Sequence, residues 1–281
     1  MIDYNEVFTE ILTKDAWTQF ATPQYWNGKK DVPVTQNHKI SLCTTCMNRL
    51  DDLKMTLPKN IKDNLDYPEV EFVVLDYNSS DDLAKWIEKD MKRYMDQGIL
   101  QFYRTTEPKV YSMSHSRNVA FKLAQGHIVN NVDADNFTHK GFATYLNLLA
   151  HQVPEKAVFA KGKRMLRGRL GFYKKEFVEI LGGYDEMSLI QGYGHDDHDL
   201  LHRAFGLNFQ MVWWGGQYYG ATPNHKKHQM DNFQNKDWRY TEKCNKILSF
   251  FNLFYGLYKA NRGGQWGKAT VVRNFLEKIT I

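Results

Sequence analysis

The chain alternates short runs of β-forming apolar residues with longer stretches whose apolar positions recur three and four apart. Lys39-Ile40-Ser41-Leu42-Cys43 alternates with a period of two, and Val70-Glu71-Phe72-Val73-Val74-Leu75 is a nearly continuous apolar run, as a strand buried on both faces requires. Leu50, Leu53, Met55 and Leu57 between them predict a helix. Ser79-Ser80-Asp81-Asp82 reads as a helix start, because such side chains accept from unpaired amide N–H groups and their charge suits the positive helix end. Leu83, Trp86, Ile87, Met91, Tyr94 and Met95 then share one helical face, and Gly98 ends it. A strand is predicted over 99–103, a helix through Val119, Ala120, Leu123 and Ala124 to Gly126, and a strand over 127–132 ending at Asp133. Further strands are predicted at 157–160 and 209–213. This alternation argues for an α/β fold with a mainly parallel central sheet flanked by helices.

Three segments follow. Residues 1–37 read as an N-terminal extension, with Val7, Ile11, Leu12 and Trp17 in a short helix, and 38–230 as the main α/β unit. Residues 231–281 read as a helical C-terminal tail with an aromatic block at Phe250-Phe251-Asn252-Leu253-Phe254-Tyr255. No internal repeat or low-complexity tract interrupts them.

Composition narrows the class. Hydrophobic residues make up 42% and charged residues 25% of the 281, which excludes a mostly disordered chain. No apolar run approaches the ~20 residues of a membrane span, and the acidic start lacks a secretion-signal core. Three cysteines do not make a disulfide framework, so a cytoplasmic setting is expected. The net charge of +5 fits an anionic substrate, a membrane surface or a nucleic acid. The basic residues are spread rather than gathered in a stripe, which argues against nucleic acid.

Two acidic motifs carry the candidate chemistry. Asp133-Ala134-Asp135 follows a strand directly, where two carboxylates at i and i+2 can reach one hard cation, although Asp is also a common turn former. Gly192-Tyr193-Gly194-His195-Asp196-Asp197-His198-Asp199 is a glycine-rich loop running into an acidic helix start. Acids there suit the helix dipole, but three Asp within four positions exceed what capping needs. Mutual repulsion of such carboxylates suits base chemistry or metal binding.

Asn48-Arg49, Asp76 with Ser80 and Asp81, Arg117-Asn118, Ala124-Gln125-Gly126, Val132-Asp133-Ala134-Asp135, Gly182-Gly183-Tyr184-Asp185-Glu186 and Asp196-Asp197-His198-Asp199-Leu200 with Arg203 occur in this order. The combination resembles the family 2 glycosyltransferases of the glycosyltransferase-A fold, and also the β-1,4-galactosyltransferase and chondroitin-polymerase relatives. The likeness spans about 39–228. It implies an inverting enzyme, with 38–230 as its catalytic domain, moving a sugar from a nucleotide-sugar donor to a glycan or lipid-linked glycan.

The resemblance also implies roles. Asp133 and Asp135 match the Asp-x-Asp motif that holds Mn²⁺ or Mg²⁺ on the donor diphosphate, with Asp135 the direct ligand and His225, or its rival His228, a further one. Asp76 matches the acid that reads uracil, which points to a UDP-sugar. Thr44, Thr45, Arg49, Asn78 and Arg117 fall on the nucleotide side. Asp197 matches the general base, and Asp196 stands where the family usually has Glu. Tyr184, Asp185, Tyr193 and Trp214 are the acceptor-side candidates. The chain departs from the family at Cys43-Thr44-Thr45-Cys46 and at His195. Bacterial surface-polysaccharide synthesis is the implied setting, and an inactive glycan- or nucleotide-binding module is the alternative.

Other features read less sharply. Cys43 and Cys46 lack the second pair a zinc site needs. Lys161, Lys163, Arg164, Arg167 and Arg169 form either a solvated face or a contact for phosphates or an acidic acceptor. Trp213-Trp214 is core or a sugar platform. The basic, aromatic C-terminal block either packs on the main unit or on a second subunit, or makes peripheral contact with an anionic membrane.

Overall fold

The computed structural model describes residues 16–26, 33–161, 169–189, 192–223 and 230–281. β2 (Ile40–Cys46) and β3 (Val70–Tyr77) are buried at every position. They pair in parallel from Ile40–Val70 to Cys46–Asp76. That unbroken burial is why β3 reads as an apolar run, whereas β2 still alternates in sequence because the small polar Ser41, Thr44 and Thr45 are buried with the rest. α1 (Leu50–Asn64) connects them, and α2 (Leu83–Asp90) and α3 (Lys92–Asp96) lead from β3 to β4 (Leu100–Thr105), parallel to β3. α4 (Met113–Leu123) then carries the chain back across the sheet to β5 (Ile128–Asn131), which pairs in parallel with β2 on its other side. The strand order reverses between β2 and β5, which opens a crevice at their carboxyl ends.

Side chains of each strand alternate between the faces. Leu42, Phe72, Val74 and Phe102 pack with Leu53, Leu57, Ile87 and Phe142 in one core layer. Cys43, Val73, Leu75 and Val129 pack with Val119, Ala120, Phe121 and Leu200 in the other. Each buried large apolar side chain contributes roughly 1.5–3 kcal/mol. The thiols of Cys43 and Cys46 are free and buried, and burial pushes both above the ordinary thiol range, so they act as core residues. Gly126 sits where α4 meets β2: a Cβ there would stand 2.7 Å from the Ser41 amide nitrogen, so only glycine fits.

Beyond β5 the sheet is mixed. β8 (Leu170–Tyr173) runs antiparallel between β5 and β7 (Ala157–Lys161). β9 (Gln210–Trp214) is parallel to β7. The short β6 (Asn136–Phe137) and β10 (Gly220–Ala221) form a separate antiparallel pair. α5 (Phe142–Gln152) and α6 (Asp196–Gly206) cover this half.

The flanking segments differ from expectation. The apolar positions Val7, Ile11 and Leu12 lie outside the described residues. Residues 16–19 make one 3₁₀ turn, and Gln24–Tyr25 is a strand, β1, parallel to β9 at one sheet edge. The expected all-helical tail is helical only over α7 (Trp238–Phe254). Thr270–Arg273 and Glu277–Thr280 are instead strands β11 and β12, an antiparallel hairpin whose first strand pairs with β4. The reason is local. Thr270-Val271-Val272 is β-branched, and Asn274 and Phe275 turn the chain with positive φ at both central positions, as a tight hairpin requires.

Candidate functional site

The carboxyl ends of β2, β3 and β5 bring the predicted donor-side residues to one rim of the sheet. Thr44 and Thr45 end β2 and are buried, with the Thr45 hydroxyl 2.5 Å from that of Tyr111. Asp76 ends β3 fully buried, its Oδ1 accepting from the Ser79 amide at 2.8 Å and its Oδ2 3.2 Å from Arg104 Nε. Burial raises its carboxyl, more than Ser79 and Arg104 lower it. Asn78 holds a left-handed backbone (φ 61°), and its side chain donates to the Pro108 carbonyl at 2.7 Å.

The loop after β5 presents Asp133 and Asp135, each beside an arginine. Arg49 donates to Asp52 at 2.7 Å and reaches Asp135 at 3.5 Å. Asn136 Nδ2 also donates to Asp135, at 2.7 Å. Asp133 accepts from Asn131 at 2.8 Å and from Arg117 at 3.3 Å. Its side chain is 36% exposed, the more open of the two. Two hard oxygen donors on one turn suit Mn²⁺ or Mg²⁺, and a bound diphosphate would complete such a set. Among the described residues, no group of three or more His, Cys, Asp or Glu is arranged to hold a metal. His225 and His228 lie outside the described residues.

Arg117, in the first turns of α4, joins the two acidic motifs. Its side chain is 3% exposed and reaches Asp133 with one nitrogen and Asp196, at the head of α6, with the other. Its guanidinium also lies 5.4 Å from the centre of the Tyr184 ring. Burial opposes its charge, but Asp196, Tyr184 and Asp133 together hold it firmly protonated. Asp196 is pushed up to about 6, because burial and repulsion from Asp197 outweigh the attraction of Arg117.

Asp197 behaves differently. It accepts at one oxygen from both the amide and the ring nitrogen of His198, at 2.8 and 2.9 Å. Burial would raise it, but His198 and Arg117 hold it below the usual carboxylate range. His195 takes a left-handed backbone (φ 70°) as α6 begins, and burial drives it down to about 3.

The acceptor-side candidates separate. Tyr193 is partly open and lies edge-on to Phe233, ring centres 5.9 Å apart. Tyr184 is fully buried under Arg117. Asp185 is buried and accepts from the Met187 and Ser188 amides at 2.9 and 2.8 Å. It also lines a small polar cavity with Ser112, Ser114, Asp196 and Asn245. Trp214 is a correction: it is 1% exposed and packs on Phe142 and the buried Arg169, so it belongs to the core rather than to a sugar platform. Of the basic cluster, Lys161 and Arg169 are described; Lys163, Arg164 and Arg167 lie outside the described residues.

One group of residues gave no sequence signal. Asn232 accepts from Asn48 at 2.7 Å and donates to the Met47 carbonyl at 2.8 Å, while its own carbonyl accepts from the Tyr111 amide. Phe233 packs edge-on to both Tyr111 and Tyr193. This segment thus straps the loops after β2 and β4 to the glycine-rich loop. Only packing between distant segments creates it, so no local pattern announces it.

Comparison with known proteins extends the picture. The profile of glycosyl transferase family 2 matches residues 41–186, just over half of the chain. No curated protein matches it. Among solved structures, a mannosyltransferase from Pyrobaculum calidifontis in complex with GDP-Man and Mn²⁺ is 20% identical, with a TM-score of 0.57 over 80% of this chain and 66% of that one. TarS residues 1–349 from S. aureus in complex with UDP-GlcNAc is 18% identical, with a TM-score of 0.54 over 80% and 74%. GalNAc-T7 with UDP, GalNAc and Mn²⁺ is 13% identical, with a TM-score of 0.52 over 67% and 46%. At these identities the likeness is one of fold.

Proposed function

The chain belongs to glycosyl transferase family 2, and we propose that it transfers a sugar from a nucleotide-sugar donor to a glycan hydroxyl with inversion at the anomeric carbon. One observation carries the reading: a single buried arginine, Arg117, draws Asp133 and Asp196 together from 16 and 79 residues away, at the crevice where the strand order reverses. Donor-side and acceptor-side chemistry meet there.

On this reading, Thr44, Thr45, Arg49, Asp76 and Asn78 surround the nucleoside, and a uracil-bearing donor fits Asp76. Asp133 and Asp135, with His225 or His228, would hold Mn²⁺ or Mg²⁺. That ion supplies charge neutralisation for the departing diphosphate. Arg49 and Arg117 already place positive charge beside the same two carboxylates. Asp197 takes the proton of the attacking hydroxyl, a role that its carboxylate suits at neutral pH, where it is ionised. Attack opposite the leaving group inverts the centre, as in base-assisted inverting hydrolysis. Polysaccharide assembly in the cytoplasm, on a lipid-linked acceptor, is the setting proposed. Support for a membrane-side acceptor comes from α7 and its end, where Tyr240, Phe251, Phe254 and Tyr255 are exposed. Lys243, Lys259 and Arg262 lie exposed around them. No helix among the described residues is long and apolar enough to cross a membrane.

The test is turnover and binding across UDP-, GDP-, CMP- and dTDP-sugars with Mn²⁺ and with chelator. Asp135→Asn should lower metal-dependent turnover by about 100-fold or more, the scale of several kcal/mol of charge stabilisation. A product that keeps the donor's anomeric configuration would sink the inverting assignment.

A further inference from the structure

The carboxylate assigned as the base does not stand alone. One oxygen of Asp197 accepts from both the backbone and the ring of His198, which pins the carboxylate. The His198 side chain is 52% exposed, so it exchanges protons with solvent, whereas that of Asp197 is 15% exposed. The His198 ring stacks on that of His195 (centres 5.5 Å apart, 13° between planes) and stands 6.2 Å from that of His202. From the same helix it faces Asp196 and Asp197, and from α7 it faces Glu242. Lys246 of α7 faces the two buried histidines behind it.

We propose that His198 is a positioning residue whose protonation gates the base: charged, it pairs with Asp197 and suppresses its basicity; neutral, it keeps the hydrogen bond and frees the carboxylate to act. The proposal rests on the transferase reading of this site. The balance is simple. The acceptor O–H breaks as its oxygen bonds to the anomeric carbon, the nucleoside diphosphate leaves with the electron pair of the old bond, and the proton goes to Asp197 and then to water. His198 changes how readily the carboxylate takes that proton and transfers none itself.

The electrostatics give the sign. Burial opposes the imidazolium, but Asp197, Asp196 and Glu242 outweigh it and raise His198 above the usual histidine value of about 6.5. Wild-type kcat should therefore rise with pH through a limb above ~6.5, falling about tenfold per unit below it. Its two neighbours, His195 and His202, are both lowered by burial and stay neutral across that range.

The experiment is the pH profile of kcat and of donor KM for wild type and His198→Asn, whose amide can still donate to Asp197 but cannot titrate. A gate predicts that the variant loses the limb and gains on wild type at pH 6, with donor KM unchanged. A merely structural role predicts a loss at every pH with the limb in place. Side-chain NMR titration supplies a readout besides turnover: His198 should titrate above 6.5 in wild type and fall in Asp197→Asn. A limb shared by both proteins, or a His198 titration that Asp197→Asn leaves unmoved, overturns the gate alone. Absence of sugar transfer by wild type from every donor overturns the transferase reading, and the gate with it.

Discussion

At the residue scale, Arg117 couples stability to site geometry. Removing one partner of a buried ion pair leaves the other charge uncompensated. Arg117→Met should cost about 3–5 kcal/mol in urea unfolding at pH 7, and Asp196→Asn in the same chain should recover much of it. Additive losses would show that the pair is not coupled. His195 gives a second prediction. It is held near 3 when folded and titrates near ~6.5 when unfolded, so below 6.5 the unfolded state binds the extra proton. Stability then falls as pH drops from about 6.5 toward 3. Asn tolerates the left-handed backbone at this position, so His195→Asn should flatten that slope. Thermal melts between pH 4 and 7 read it directly. The acidic motifs themselves were legible in the sequence, because carboxylates packed more densely than capping needs stand out locally. Asn232 and Phe233 were not, since their meaning depends on Asn48, Tyr111 and Tyr193, which lie far away in the chain.

At the element scale, periodicity revealed the strands buried on both faces and missed those that depend on neighbours. β3 announces itself through an apolar run, β2 through an alternation, and β5 through Ile128-Val129 leading to Asp133. Leu170–Tyr173 is only four residues long and follows a basic stretch, yet it is the strand that joins β5 to β7. The C-terminal hairpin was hidden by the helical, aromatic stretch before it. It covers β4, whose unpaired edge would otherwise invite association between chains. The connection back to it is also tied down. Glu186 accepts from Asn118 at 2.6 Å and from the Gly267 amide at 3.0 Å, and Asn261 donates to the Gly182 and Tyr184 carbonyls at 2.7 and 2.6 Å. A chain ending at Gly267 should therefore keep its helical signal, melt several degrees lower and self-associate as concentration rises. Light scattering that stays monomeric across a concentration series would show that the hairpin does not protect the edge.

At the scale of the whole molecule, the two ends of the parallel strands are built differently, as a pair of carboxylates shows. Glu71, near the amino end of β3, is 2% exposed and fully engaged: it accepts from Ser41 at 2.5 Å and from the Gln125 amide at 2.6 Å, with Lys39 3.4 Å away. These contacts fasten β2, β3 and the end of α4, and nothing about them faces the crevice. Asp133, past the carboxyl end of β5, is open and shares Arg117 with Asp196. Glu71→Gln keeps the shape but loses a charged acceptor in a buried network, which should cost about 1–3 kcal/mol of stability while kcat stays within a factor of about two. Asp133→Asn keeps an oxygen for Asn131 and removes a charge from a crowded acidic rim, so its stability should change by less than ~1 kcal/mol while turnover collapses. Measuring both quantities on both variants makes a two-by-two test. If Glu71→Gln abolishes turnover at unchanged stability, or Asp133→Asn unfolds the chain, the division between a structural end and a chemical end of the sheet is wrong, and the crevice at the strand reversal loses its claim to the chemistry.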